Sequence, residues 1–148
     1  KSEVPDIALS TDIIVGFPGE TDAAFEDTLT IMEKVGYSSS YMFAYSPRPG
    51  TPANDLPDSV PEEVKKQRLQ KTIAMQSQIS QQQGQVYIGE KVAVLIEGRS
   101  SKPGYAFKGR NPQYWNVNIQ GSDLKTGDTV TVEIEQVSGH SLNGKALL

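Results

Sequence analysis

The spacing of apolar residues changes twice along the chain, and each change marks a different kind of element. Ile7 to Val15 reads as a strand, and its unbroken Ile13-Ile14-Val15 end predicts burial on both faces, as in a parallel sheet. Gly16-Phe17-Pro18-Gly19-Glu20 breaks that pattern, and Thr21 or Asp22 is placed to cap the helix that follows. Phe25, Leu29, Met32 and Val35 then recur on one helical face that ends near Gly36. Tyr41 to Tyr45 is a second strand by its aromatic content. Strand, helix and strand with short connections form a βαβ unit, whose two strands must run parallel.

A proline-rich loop, Ser46 to Pro52, leaves this unit, and turn-forming residues continue to Ser59. Ser59 and Glu62 have the spacing of a capping box, with Pro61 in the first turn of a long helix that ends at Gln81-Gln82-Gln83-Gly84. Val64, Leu69, Ile73 and Ile79 give this helix a thin apolar stripe, as expected of a connecting helix packed along one side. From Val86 onward the period falls to two. Val92 to Ile96, Tyr114 to Ile119 and Val130 to Ile134 read as short strands punctuated by glycines, which predicts a small antiparallel barrel. The approach Leu124 to Val130 is of a kind common in OB-like domains. Two strands and one helix cannot cover their own sheet, so the first half reads as a piece of a larger α/β fold whose missing part precedes Lys1.

Composition narrows the chemistry. The chain has no cysteine, so disulfides, thiolate nucleophiles and cysteine-ligated clusters are excluded from its own residues. No apolar run approaches a membrane span, and Lys1-Ser2-Glu3-Val4-Pro5-Asp6 lacks the apolar core of a signal peptide, which points to the cytoplasm. The net charge of −4 argues against a general nucleic-acid binder, but it is unevenly spread. Residues 1–85 carry 7 Lys and Arg against 12 Asp and Glu, whereas residues 86–148 carry 7 against 6, so the second half is the better RNA-binding candidate.

Two groups of residues carry candidate chemistry. Gly16 to Glu20 lie where a parallel strand ends, the usual place for ligands in α/β sheets and barrels. There Glu20 is either an acceptor for a nucleoside or amine, or a solvated carboxylate on an ordinary turn. Asp12, inside an apolar strand, is either functional or paired with a cation. Arg48 sits between two prolines, on a stiff loop suited to presenting a guanidinium to an anion; the alternative is a solvent-facing Arg. In the second half, Lys108, Arg110, Asn111, Tyr114 and Trp115 cluster in one hairpin, with Arg99 and Lys102 in the preceding loop. Cations contact phosphates and aromatic rings stack on unpaired bases, although strand alternation should bury either Tyr114 or Trp115. His140 is the only histidine and has no partner at metal-ligand spacing, which reads as a surface loop residue and no metal site.

Three stretches carry a family resemblance: Ser10 to Thr21, with its Gly-Phe-Pro-Gly-Glu turn; Tyr45-Ser46-Pro47-Arg48-Pro49-Gly50-Thr51-Pro52-Ala53; and Val60 to Leu69. Together with Val94-Leu95-Ile96-Glu97-Gly98 and Gly109-Arg110-Asn111, they resemble the MiaB family of radical-SAM methylthiotransferases over nearly the whole chain. The resemblance implies an α/β fragment, the C-terminal strands of a radical-SAM partial TIM barrel (residues 1–58). A connecting helix (59–84) and a small all-β OB-like TRAM barrel that binds RNA (85–148) would follow. Asp12, Gly16, Phe17, Pro18, Gly19 and Glu20 would border S-adenosylmethionine, and Arg48 would stand at the rim of the active site. Two 4Fe-4S clusters would be ligated by cysteines of N-terminal domains outside this chain, so the chain alone should be catalytically inactive. The parent, expected to be monomeric and membrane-free, would methylthiolate C2 of isopentenyladenosine in the tRNA anticodon arm. After Gly109-Arg110 the chain departs from the family, with Asn111-Pro112-Gln113 where a Thr and an Asn-rich turn are common. Rival readings are a threonylcarbamoyladenosine methylthiotransferase, a non-catalytic RNA-binding module, and a relative that modifies a ribosomal aspartate.

Overall fold

The computed structural model describes every residue except Lys1, Ser2, Pro5, Asp58 and Leu148. Those parts of the N-terminal reading, the boundary at residue 58 and the last residue of the barrel therefore lie outside the described residues. The chain divides into two compact units, Leu9–Ile79 and Ser80–Leu148, the latter joined by residues 1–8.

In the first unit, β1 (Ser10–Val15) pairs in parallel with β2 (Ser39–Ala44), and α1 (Asp22–Val35) connects them. The Thr21 hydroxyl accepts the N–H of Ala24 at 3.1 Å to start α1, and the N–H of Gly36 closes its end on the Met32 carbonyl. Ile13 and Val15 pack with Phe25, Met32 and Ile79. The other face of the strands is open. Ile14 and Phe43, paired in register, are 55% and 53% exposed, and Asp12 and Tyr41 beside them are exposed too. Burial on both faces of β1 is thus corrected: the helices of this unit cover only the side bearing Ile13 and Val15.

Helix α2 (Glu62–Gly84) departs from its expected pattern at both its start and its buried face. The N–H of Lys65 bonds the Pro61 carbonyl, which places Ser59 outside the first turn. The Ser59 hydroxyl instead accepts the N–H of Gly19 at 3.1 Å. The buried positions are Lys65, Arg68, Thr72, Gln76, Ile79, Ser80 and Gly84, while Ile73 is exposed. Of the expected apolar stripe, Ile79 is buried and Leu69 packs against the same core, but a polar stripe runs beside them, and its members are satisfied one by one. Thr72 donates to the Arg68 carbonyl, and Gln76 donates to the Tyr37 carbonyl while accepting from Ser40.

The second unit is a closed barrel of β3 (Lys91–Arg99), β4 (Phe107–Arg110), β5 (Asn116–Gln120), β6 (Thr129–Ser138) and β7 (Ser141–Leu147), in the order β3-β4-β5-β7-β6. Its inner positions, Val94, Ile96, Phe107, Val117, Ile119, Val132, Ile134 and Leu142, form the core. Each large apolar side chain so buried stabilises the fold by about 1.5–3 kcal/mol. The barrel is not wholly antiparallel, because β5 and β7 pair in parallel. That pairing is what closes it, since β7 must lie between β5 and β6. Strands β4 and β7 do not stand out by alternation, because glycines take inner positions in both. At Gly109 a Cβ would collide with the Leu95 carbonyl and at Gly144 with the Glu133 carbonyl, so only glycine fits at either place.

Candidate functional site

In the first unit the loop after β1 is held by a single carboxylate. Glu20 Oε2 accepts the N–H of Gly16 at 2.7 Å and Nη1 of Arg68 at 2.6 Å; the same nitrogen also reaches the Glu20 carbonyl. Nη2 of Arg68 bonds Asp22 at 2.7 Å. Burial opposes the charge on Arg68, but the hydrogen bonds and charges of Asp22 and Glu20 outweigh it and raise its pKa. The Arg68 and Glu20 side chains are only 7% and 11% exposed, so their pair is the strong one; the Asp22 carboxylate is solvated and adds little. Gly16 lies against the Lys65 methylenes with φ 74°, a place and a conformation that exclude a side chain. Oε2 of Glu20 is therefore taken up by the loop and by Arg68.

That clamp leaves Phe17 free to point the other way, edge-on to Tyr45 with ring centroids 5.2 Å apart. Tyr45 is fixed by its hydroxyl on the Ala53 carbonyl and by the Lys65 ammonium 5.5 Å from its ring. Lys65 in turn bonds Glu62 at 2.7 Å. Phe17 and Tyr45, with Asp12, Ile14, Phe43 and Arg48, line an open cleft of about 460 Å³. Three expected site residues, Asp12, Phe17 and Arg48, thus share one cleft. Gly16, Pro18, Gly19 and Glu20 form the loop behind Phe17 and are not among its lining residues. Sequence reasoning missed Lys65 and Arg68. Their signal was spacing: Lys65, Arg68, Thr72 and Gln76 recur like a helix face, but with polar side chains.

In the barrel the expected RNA-facing residues separate into exposed and interior ones. Lys108 is exposed on β4, across from Asn118. The guanidinium of Arg99, also exposed, lies 4.4 Å from the Phe107 ring. Lys102 donates from Nζ to Asn143 Oδ1 at 2.8 Å, and Asn118 donates to the same oxygen, so Lys102 ties the β3–β4 loop to the fully buried Asn143. Trp115 is only 5% exposed and meets Tyr87 edge-on. Asn111 is also buried, and its Oδ1 accepts the Trp115 N–H at 2.8 Å. Both shape the hairpin from inside, whereas the turn at Tyr114 sends its ring outward. Tyr114 is 75% exposed, with the Arg110 guanidinium 4.5 Å from its ring; Nε of Arg110 stands 3.2 Å from Glu97. His140, at the turn before β7, is exposed and bonds Ser80 through Nδ1 at 2.8 Å.

Residues 85–147, which contain the whole barrel, match the TRAM domain family. Beyond these residues, the similarity runs through the first unit as well. The chain is 46% identical, over 97% of its length, to a tRNA-2-methylthio-N(6)-dimethylallyladenosine synthase of Acetivibrio thermocellus, of which it covers 30%. It is 43% identical to the synthase of that name from Legionella pneumophila, over 97% of this chain and 32% of that protein. To the one from Acidothermus cellulolyticus it is 40% identical, over 96% of this chain and 29% of that protein. The chain thus resembles MiaB-type methylthiotransferases across both the cleft and the barrel, and spans about a third of the length of these curated relatives. No helix among the described residues is long and apolar enough to cross a membrane.

Proposed function

We propose that this chain is part of a tRNA-2-methylthio-N(6)-dimethylallyladenosine synthase, in which the TRAM domain holds the anticodon arm and the Asp12–Arg48 cleft forms one wall of the reaction chamber. The observation that carries this reading is 46% identity extending through the cleft as well as the barrel. In the whole protein, cytoplasmic and monomeric, N-terminal domains complete the chamber as a radical-SAM barrel.

The cleft suits a nucleoside-bearing cofactor such as S-adenosylmethionine by its donor set. Asp12 offers a carboxylate to an ammonium group or a ribose hydroxyl, Phe17 and Phe43 offer apolar faces to a purine, and Arg48 offers a guanidinium to a carboxylate or phosphate. When bound, S-adenosylmethionine supplies the transferred methyl group and the radical that activates C2 of the adenine. This chain's residues bind and orient; the Gly16–Glu20 loop, locked by Arg68, keeps Phe17 in place. Iron–sulfur clusters do not fit the residues of this chain, which has no cysteine, so no step is assigned to them here.

On the barrel, Lys108 and Arg99 neutralise phosphates, while Lys102 stiffens the loop beside them. The net charge of −4 makes the interaction local rather than long-range. The test is binding of the chain to an anticodon stem-loop bearing isopentenyladenosine, titrated against salt, beside calorimetry with S-adenosylmethionine. Affinity falling with salt by about 0.7 logarithmic units per neutralised phosphate supports the reading. RNA binding in a complete protein that never takes up S-adenosylmethionine would favour a non-catalytic RNA-binding module. Absence of RNA binding at low salt overturns the tRNA assignment.

A further inference from the structure

Tyr114 stands in a left-handed conformation, φ 67°, that favours glycine, yet it presents one of the most exposed aromatic rings of the chain. The ring meets the Arg110 guanidinium at 4.5 Å and otherwise faces largely outward. The turn is enforced from beneath: the Asn111 carbonyl accepts the Tyr114 N–H at 2.9 Å, and the Asn111 side chain accepts the N–H of Trp115, itself anchored in the core. Backbone strain stabilised in this way, at an exposed position, is a pointer to function.

The ring borders a cleft of about 370 Å³ on the outside of the barrel, at the low end of the roughly 300–1,000 Å³ typical of small-ligand pockets. Leu95, 48% exposed, contributes apolar surface. Arg110 and Glu97 contribute one positive and one negative charge, held 3.2 Å apart. A pocket with no net charge is poorly suited to phosphate. It offers instead a ring to stack on, a fork of donors and a pair of acceptor oxygens, which match a flat heterocycle carrying both donors and acceptors on its edge. Lys108, two residues before Arg110 and about 7 Å along the same strand, is free to meet the adjoining phosphate.

We propose that this cleft is a subsite for one unpaired nucleobase stacked on Tyr114, with guanine preferred. Guanine alone presents two adjacent N–H donors to the Glu97 carboxylate and an acceptor oxygen to Arg110. The subsite rests on the RNA-binding reading above, and it adds Leu95 and Glu97 to the residues that meet RNA.

The decisive variant is Tyr114→Gly, which removes the ring while suiting the backbone, so the barrel should be no less stable. Binding of the full chain to short single-stranded RNAs, each a uridine run with one central guanine, adenine or cytosine, is measured by fluorescence anisotropy. The guanine oligomer should bind the unmodified chain most tightly. Tyr114→Gly should weaken it by between about fivefold and a hundredfold, with the salt slope unchanged. Glu97→Gln should abolish the preference for guanine. Lys108→Ala should weaken all the RNAs alike and flatten the slope. Unaltered affinity in Tyr114→Gly, with RNA binding and its salt slope intact, overturns the subsite alone. Failure of the unmodified chain to bind any of the RNAs overturns the subsite together with the RNA-binding reading.

Discussion

Arg68 and Glu20, 48 positions apart in sequence, meet through a 2.6 Å hydrogen bond in which each side chain is almost wholly withdrawn from solvent. The pair joins α2 to the loop after β1, and through Gly16 it sets the direction in which Phe17 leaves that loop. Arg68→Met leaves the Glu20 carboxylate buried without its counter-ion, a loss of about 3–5 kcal/mol. The far-ultraviolet helical signal should therefore melt at lower urea. Trp115, the chain's single tryptophan, reports the barrel separately, and its fluorescence transition should stay where it was. Adding Glu20→Gln to Arg68→Met should restore much of the lost stability; no recovery in the double variant would mean that the pairing is not what holds the loop.

The Asn111 side chain makes the opposite prediction about the two probes. Asn111→Ala removes the acceptor for the buried Trp115 N–H, at a cost of about 1–3 kcal/mol. The fluorescence midpoint should fall while the helical signal is largely retained. Asn111→Asp keeps an acceptor and should lose less.

Much of the first unit was legible in the sequence, because its signals are local. Thr21 and Gly36 bracket α1, and Phe25 and Met32 fall on the buried face the periodicity picks out. The buried face of α2 is only partly legible. Apolar spacing picks out Ile79, which is buried, and Leu69, which packs on the core, but also Ile73, which is exposed; Arg68 and Gln76 are buried because partners from distant segments satisfy them. In the same way, Glu20 looks like a ligand-binding carboxylate until Arg68 is seen across from it. The hairpin residues were grouped correctly as neighbours, but only the fold separates Tyr114, which faces solvent, from Trp115 and Asn111, which do not. Strands β4 and β7 escaped notice because Gly109 and Gly144 occupy positions where alternation calls for a large apolar residue.

The exposed cations of the barrel should act through charge alone. Lys108→Ala and Arg99→Ala are each expected to reduce the magnitude of the salt slope for RNA binding by about one phosphate contact, with little effect on barrel stability. Lys102→Ala differs. It leaves Asn143 short of a donor, so it should lower the urea midpoint as well as affinity. Equal effects of all three variants on both readouts would contradict the distinction between free and structural cations.

Tyr87 gives the barrel a dependence on alkaline pH. Burial raises its pKa above the ordinary 10.0; a hydrogen bond with Asn111 lowers it in part, and the charge of Asp6 raises it again. The unfolded chain therefore releases this proton before the folded one does. The contribution to stability is complete below the ordinary tyrosine pKa and is lost as pH rises past it toward the folded value. Tyrosinate absorbance should show a late-titrating component that Tyr87→Phe abolishes, and the variant should lose less stability at alkaline pH, relative to neutral pH, than the unmodified chain.

The parallel pairing of β5 with β7 also sets an order of events. Strands β3, β4 and β5 are able to pair as soon as they are made, and β6 can join β3, but β6 and β5 share no edge; the outer edge of each waits for Ser141–Leu147 to arrive between them. The last strand is thus a keystone. Until it leaves the ribosome, the nascent barrel is an open arch with two unprotected edges, and the interval between synthesis of Gln120 and of Leu147 is when it is most exposed to mispairing.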